Sequence, residues 1–466
     1  MNSKTIFKIL TIFGVLFCGY AQAQTPAKTK AYTLEVTFMP QQKMMHGVAE
    51  VQLHKTSNKQ AVFYLHGELR VDSIFAQNKS LKFKETSVFY DYSYNFIAKK
   101  VTLENLTNNR LKIYYSGYFN ASKARSPSDY MRVDANQVLL RGYGYSLWFP
   151  MFLADQQDSY PVDFDKVTIK TPQNLVSIFI GKKLKEYTQG NWKVSEWQAK
   201  NTNLQGVQCT ARPFELLKDG PYHIYHLGKE VDLNNAQGVL KFLKKLTDRY
   251  QKYYASGTAK AAEDFFVMQM PQFGDISSGN VSGLSPNVWK NFNKYTWPKR
   301  VLAHELVHPF VHYPMSQSNP MYALMIEGFP SYFHLPVLAE LLDENWYQKR
   351  MKRIEKSYLY KKKHGKTRRG WKVPAEKPIL KITAQDISVY KDMFILDDRV
   401  VLFFNFLRQE MGTQKFYKFA RAIVQTRPGN DQQFIQLIEQ FLPGQKQLIK
   451  TWLYTNDYPT QLRLSK

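Results

Sequence analysis

About two-thirds of the way along the chain, His304-Glu305-Leu306-Val307-His308 places two imidazoles and a carboxylate at a spacing with chemical consequences. On an α-helix, positions i and i+4 share one face, so both rings can reach a single cation while the glutamate stands beside it. Zinc accepts two imidazole nitrogens and one carboxylate and leaves a fourth position for water. A carboxylate is on offer at Glu327, which follows His308 after eighteen intervening residues, within Met325-Ile326-Glu327-Gly328-Phe329. His304, His308 and Glu327 are therefore the expected holders of one zinc ion per chain, with Glu305 poised as a general base. The bland alternative is a pair of satisfied histidines on an ordinary amphipathic helix. Ser331, one turn beyond Glu327, is a candidate hydrogen-bond partner within the site. His312 follows His308 by four residues but lies past Pro309, and His223, His226 and His334 have no ligand spacing to the pentamer. A structural role is expected for all four.

The elements that must position these groups are legible as changes of period. Apolar spacing predicts helices over about 298–313 and 321–342, joined by a turn containing Pro314, Ser316, Ser318, Asn319 and Pro320. Pro309 inside the first removes a backbone bond and predicts a kink or an end there. Upstream lie a predicted helix over 233–254, a buried strand at Phe265-Phe266-Val267-Met268, and a Gly/Ser-rich stretch over 274–283. Further back, from about 31 to 214, alternation with period two predicts antiparallel strands, as in Tyr32-Thr33-Leu34-Glu35-Val36-Thr37-Phe38. Helices are predicted again over 399–410, 413–425, 431–441 and 446–456. The division expected is a β domain over 24–218 and a mainly helical domain over 219–466, a multidomain α+β chain.

Composition bounds the surroundings. The 466 residues are 44% apolar and 15% aromatic, which excludes disorder over most of the length. Only two cysteines occur, Cys18 and Cys209, so neither a disulfide framework nor a thiolate-rich metal site is expected. Residues 1–23 combine Lys4 and Lys8 with an apolar run and end in Ala21-Gln22-Ala23, the pattern of an export signal cleaved near Ala23. Its removal takes away two lysines and lowers the formal charge of +26 by two. Export to the periplasm or the medium is the expectation, and no later stretch has the ~20 apolar residues a membrane crossing requires. The densest positive charge, over 349–372, reads as a solvated helix and loop, with peripheral contact with an anionic envelope as the alternative. No nucleic-acid partner is expected, because aromatic interleaving is sparse and no binding motif accompanies the charge.

The pentamer, the eighteen-residue interval and the Glu327-Gly328-Phe329 context together resemble the gluzincin metallopeptidases of the M1, aminopeptidase N-like, family. Trp148-Phe149-Pro150 and the strand from Val167 to Pro172 are similar to the amino-terminal domain of that family, and the resemblance spans about 30–425. It implies a saddle-like β domain followed by a thermolysin-like zincin domain, peptide or protein substrates, and hydrolysis by activated water. Three positions depart from the family pattern. Anchored on Gly283-Leu284, the family's G-A-M-E-N stretch corresponds to Ser277-Ser278-Gly279-Asn280-Val281, so Asn280 stands where the amine-binding glutamate belongs. Asn280 and Gly283 are the substrate-edge candidates, and ordinary aminopeptidase specificity is not expected. Asp397 falls at the place of the family's oxyanion-stabilising tyrosine, which leaves Tyr390, seven residues earlier, as the candidate for that role. The third departure is Pro309. These departures sustain one alternative, a catalytically degenerate fold that serves as an envelope binding protein.

Overall fold

The structure is a computed structural model that describes residues 27–458 except 55–59, 91–95, 105, 107, 119–130, 141–145, 154–159, 205–206, 255–263, 271–274, 312–314, 316–317, 384–385 and 387–394. Residues 1–23, the expected export signal, lie outside the described residues.

The alternating segments form a β domain. The strand Thr29–Met39 runs parallel to Pro161–Pro172 on one side and antiparallel to Met44–Leu53 on the other, at the centre of an eight-stranded sheet. Tyr32, Leu34, Val36 and Phe38 alternate inward, as period two demands, onto a core that contains Trp148, Phe149, Phe164, Phe179 and Trp197. Tyr32 stacks on Phe164 at 5.3 Å between ring centroids, and its hydroxyl donates to the Pro150 carbonyl at 2.9 Å. Smaller sheets of four and three strands complete the domain. Gly47, paired with Tyr115 on the neighbouring strand Arg110–Tyr118, has no room for a side chain: a Cβ there would lie 2.1 Å from Cζ of the buried Tyr115 ring.

A second, five-stranded sheet begins at Glu215–Asp219 and continues in the order Tyr222–His226, Phe265–Gln269, Val281–Leu284 and Ile276–Ser278. The division expected after residue 218 falls within this first strand. Glu215–Asp219 is mostly exposed and polar, so its sequence carries no burial signal, yet it hydrogen-bonds along the whole of Tyr222–His226. The three inner strands run parallel and the edge strand Ile276–Ser278 is antiparallel, so the Gly/Ser-rich stretch is a hairpin. Alternate residues of Phe265–Gln269 face opposite ways. Phe265 and Val267 enter the helical core, while Phe266 and Met268 enter the core of the β domain.

Helices cover the other face: α1 (Leu233–Tyr253), the short α2 (Pro286–Lys290), α3 (Thr296–Val311), α4 (Phe329–Leu341), α5 (Glu344–His364), α6 (Val401–Met411), α7 (Thr413–Thr426), α8 (Asp431–Phe441) and α9 (Lys446–Tyr454). Asp232 caps α1 and Asp343 caps α5 by accepting from backbone N–H groups, and Gly365 closes α5 in the left-handed conformation that glycine tolerates. Helix α3 runs two residues past Pro309. The proline removes only the bond its missing N–H would have made to the Glu305 carbonyl, close enough to the helix end to be absorbed.

Gly47→Ala is expected to destabilise the protein by about 1–3 kcal/mol, because the Tyr115 ring must move within a packed core. The shift of the urea unfolding midpoint measures it.

Candidate metal centre

Helices α3 and α4 pack against each other, and α1 ties both down by two tyrosine hydroxyls. Tyr250 donates to the carbonyl of Ala303 at 2.7 Å, and Tyr254 to that of Phe333 at 2.5 Å. Burial pushes both phenols far above their ordinary pKa, so each remains a protonated donor. On α3 the i, i+4 spacing sets the rings of His304 and His308 edge to face, 5.1 Å between centroids. Glu327 comes from the residues just before α4, where Leu324–Gly328 winds as a π-helix, an extra-residue turn that re-aims side chains. Its Oε2 lies 3.5 Å from Nε2 of His304 and 3.9 Å from Nε2 of His308. One potential ligand atom from each of the three residues falls within 4.8 Å of the others. Glu305 is buried on the same helix beside them.

The electrostatics follow from this crowding. Burial opposes protonation of His304, yet the hydrogen bond to Glu327 and the charges of Glu305, Glu327 and Asp397 prevail and raise its pKa above the ordinary imidazole value. Asp397 sits in a second π-helical segment, Ile395–Val400, which packs against the first. Desolvation is the main cause that raises its pKa, the charges of His304 and Arg300 pull it down, and Glu327 adds to the rise. Ser331 donates to Oδ1 of Asp397 at 3.3 Å, so its partner is this second carboxylate. The next residue, Asp398, turns away to Lys361 at 2.7 Å, and burial still lifts its pKa to about 6.

Other expected site residues are placed differently. Asn280 does not present its carboxamide to the metal residues. Its Oδ1 accepts from the Gly181 N–H at 2.7 Å, and its Nδ2 donates to the carbonyls of Gly181 at 2.8 Å and Asp264 at 2.7 Å. The side chain is a latch between the hairpin and the β domain. Gly283 is packed inward, where a Cβ would meet Met270 Sδ at 2.6 Å and Ile276 Cγ1 at 2.8 Å. Tyr390 and His312 lie outside the described residues.

His334, expected to be structural, stands next to the centre. Its ring lies edge-on to His304 at 5.4 Å, its Nδ1 bonds to the Pro330 carbonyl at 2.7 Å, and its buried Nε2 has no partner among the described residues. Because a carbonyl can only accept, Nδ1 carries the proton. Burial first, and the charges of His304 and Arg300 next, hold the ring neutral. Arg300 went unnoticed in the sequence, although it lies one turn before His304 on the same face of α3 and the helical period alone would have marked it.

Asn280→Asp keeps the shape but loses both donated bonds, and is expected to lower stability by about 2 kcal/mol or more. Chemical denaturation measures the change.

No protein-family model matches the sequence, and neither does any curated protein. Solved structures do. The M1 zinc metallopeptidase of Deinococcus radiodurans superposes with a TM-score of 0.69 at 15% identity, over 94% of this chain and 96% of that one. A mutant of that enzyme bound to a Tyr-Ser-Ala substrate gives 0.66 at 16% identity, over 94% and 96%. Native yeast LTA4 hydrolase gives 0.68 at 12% identity, over 93% of this chain and 69% of that one. At such identities the likeness is one of fold, and the fold of this chain is that of the two-domain M1 zinc metallopeptidases.

Proposed function

We propose that the protein is an exported zinc-dependent metallopeptidase that hydrolyses peptide bonds with Glu305 as general base. The observation that carries the reading is the convergence of His304, His308 and Glu327. Tetrahedral zinc with bonds near 2.0–2.2 Å needs ligand atoms roughly 3.3–3.6 Å apart. The separations of 3.5 and 3.9 Å from Glu327 to the two imidazoles fit that need with little adjustment, and both imidazoles point the same ring nitrogen inward.

Zinc held by His304, His308 and Glu327 would supply a Lewis acid for the scissile carbonyl and lower the pKa of water toward neutrality. Glu305 then takes a proton from the attacking water on its carboxylate and delivers it to the leaving nitrogen. Glu327 and the two imidazoles hold the site together, and Glu305 needs no metal contact to act. The fold of the solved zinc metallopeptidases supports the reading. The leader-like residues 1–23 support export, and among the described residues no helix is long and apolar enough to cross a membrane. Contact with an anionic envelope would rest on the exposed cations between 349 and 372, since Lys361 and Lys362 are drawn inward to Asp398 and Glu376.

A second reading, a binding protein on a degenerate peptidase fold, is favoured by one observation. The amide of Asn280, at the place of the family's amine anchor, is wholly engaged in the latch between hairpin and β domain. Turnover separates the two. Glu305→Gln should retain zinc and lose at least about a hundredfold in peptide hydrolysis; unchanged hydrolysis by the purified variant would sink the mechanism. His308→Ala should lose the metal, and elemental analysis should find about one zinc per wild-type chain. A zinc content unaffected by that substitution would place the ion elsewhere.

A further inference from the structure

Among the described residues, two arginines beside the centre have no ion-pair partner. Arg300 lies one turn before His304 on the same face of α3, and Arg350 lies on α5. Their charges act on each other, and both act on Asp397 and on the ring of His334. Among the described residues neither guanidinium makes a hydrogen bond or an ion pair, and Nε of Arg350 is buried with no acceptor. The nearby carboxylates relieve them only in part, from a distance. Asp275 and Asp397 feel the charge of Arg300 from beyond ion-pair distance, and Asp398 is held by Lys361.

Elsewhere a buried guanidinium has close partners at both terminal nitrogens, although its Nε, like that of Arg350, meets no acceptor among the described residues. Arg399 pairs with Glu376 at 2.5 Å and donates to the carbonyls of Trp452, Thr455 and Asp457. The contrast is physical, because two like charges held near each other, one partly desolvated, are unfavourable until an anion joins them. Burial and the charge of Arg300 push the guanidinium of Arg350 down to about 10. It remains cationic at neutral pH.

We propose that Arg300 and Arg350 bind a carboxylate of the peptide substrate, next to the metal-holding residues. The proposal rests on the peptidase reading of that site. A guanidinium presents a planar fork that matches a carboxylate in a bidentate manner. One helical turn is about 5.4 Å along the axis, and an extended peptide advances about 3.3–3.6 Å per residue. The carboxylate read here therefore belongs to a residue one or two positions from the bond being cut, as the chain terminus of a short peptide or as an acidic side chain. This matches the engagement of Asn280 in the domain latch, since the site identifies its substrate by an acid where the family pattern reads an amine.

The test is calorimetric binding to zinc-loaded Glu305→Gln protein of trialanine, trialanine amide and N-acetyl-Ala-Glu-Ala amide. Loss of the free carboxylate from trialanine is expected to weaken binding about tenfold or more. Arg300→Gln and Arg350→Gln should each bring the acid-to-amide ratio close to one, and Arg350→Lys should keep part of it. Each ratio is taken within one variant, so partial unfolding cancels. Recovery of tight binding by the glutamyl peptide supports the pair and assigns it to an acidic side chain. Binding that is absent or equal for all three peptides, or an acid preference that survives both glutamine substitutions, overturns the proposal. Turnover of trialanine by the wild type is read separately: its absence counts against the peptidase reading, while an arginine-dependent acid preference in binding stands without it.

Discussion

Two hydroxyl groups on one helix hold the centre in register. Tyr250 and Tyr254 of α1 bond to the carbonyls of Ala303 and Phe333, the residues immediately before His304 and His334. A metal site works only when its ligands are held to within about 0.5 Å, and side chains on two separate helices achieve that only if the helices cannot slide. The long apolar face of α1 buries Val239, Leu243, Leu246 and Tyr250 against the same core, so packing and hydrogen bonding fix one arrangement together.

On that frame two π-helical turns face each other, one with Glu327 and the other with Asp397. Such turns interrupt the regular bonding of a helix and recur where a side chain must be re-aimed for function. Here they bring two carboxylates toward His304. The resulting field is mixed, with Glu305, Glu327 and Asp397 on one side of the account and His304, Arg300 and Arg350 on the other. Its balance depends on what binds.

The candidate metal-binding face was legible in the sequence because the geometry that gathers it obeys a local rule. His304 and His308 share a helix face by spacing alone, and Glu327 follows in a second apolar helix. The inner strand at Phe265 was legible for a similar reason, since a strand covered on both faces is apolar throughout. What escaped depends on partners distant in sequence. Asn280 engages Gly181, 99 residues away, and nothing near Asn280 announces that bond. His334 carries no ligand spacing, and only the packing of α3 on α4 brings it to His304. The strand Glu215–Asp219 carries no burial pattern because its surface is mostly wet, so the sequence does not announce its pairing with Tyr222–His226.

The strand Phe265–Gln269 gives its odd residues to one core and its even residues to the other. The two lobes therefore share a wall, in the way two rooms do, and neither can be taken away without baring a row of large apolar side chains. Melting either core withdraws support from the same strand, so the lobes should lose structure in a single cooperative event. The latch from Asn280 to Gly181 fastens that wall at the hairpin end.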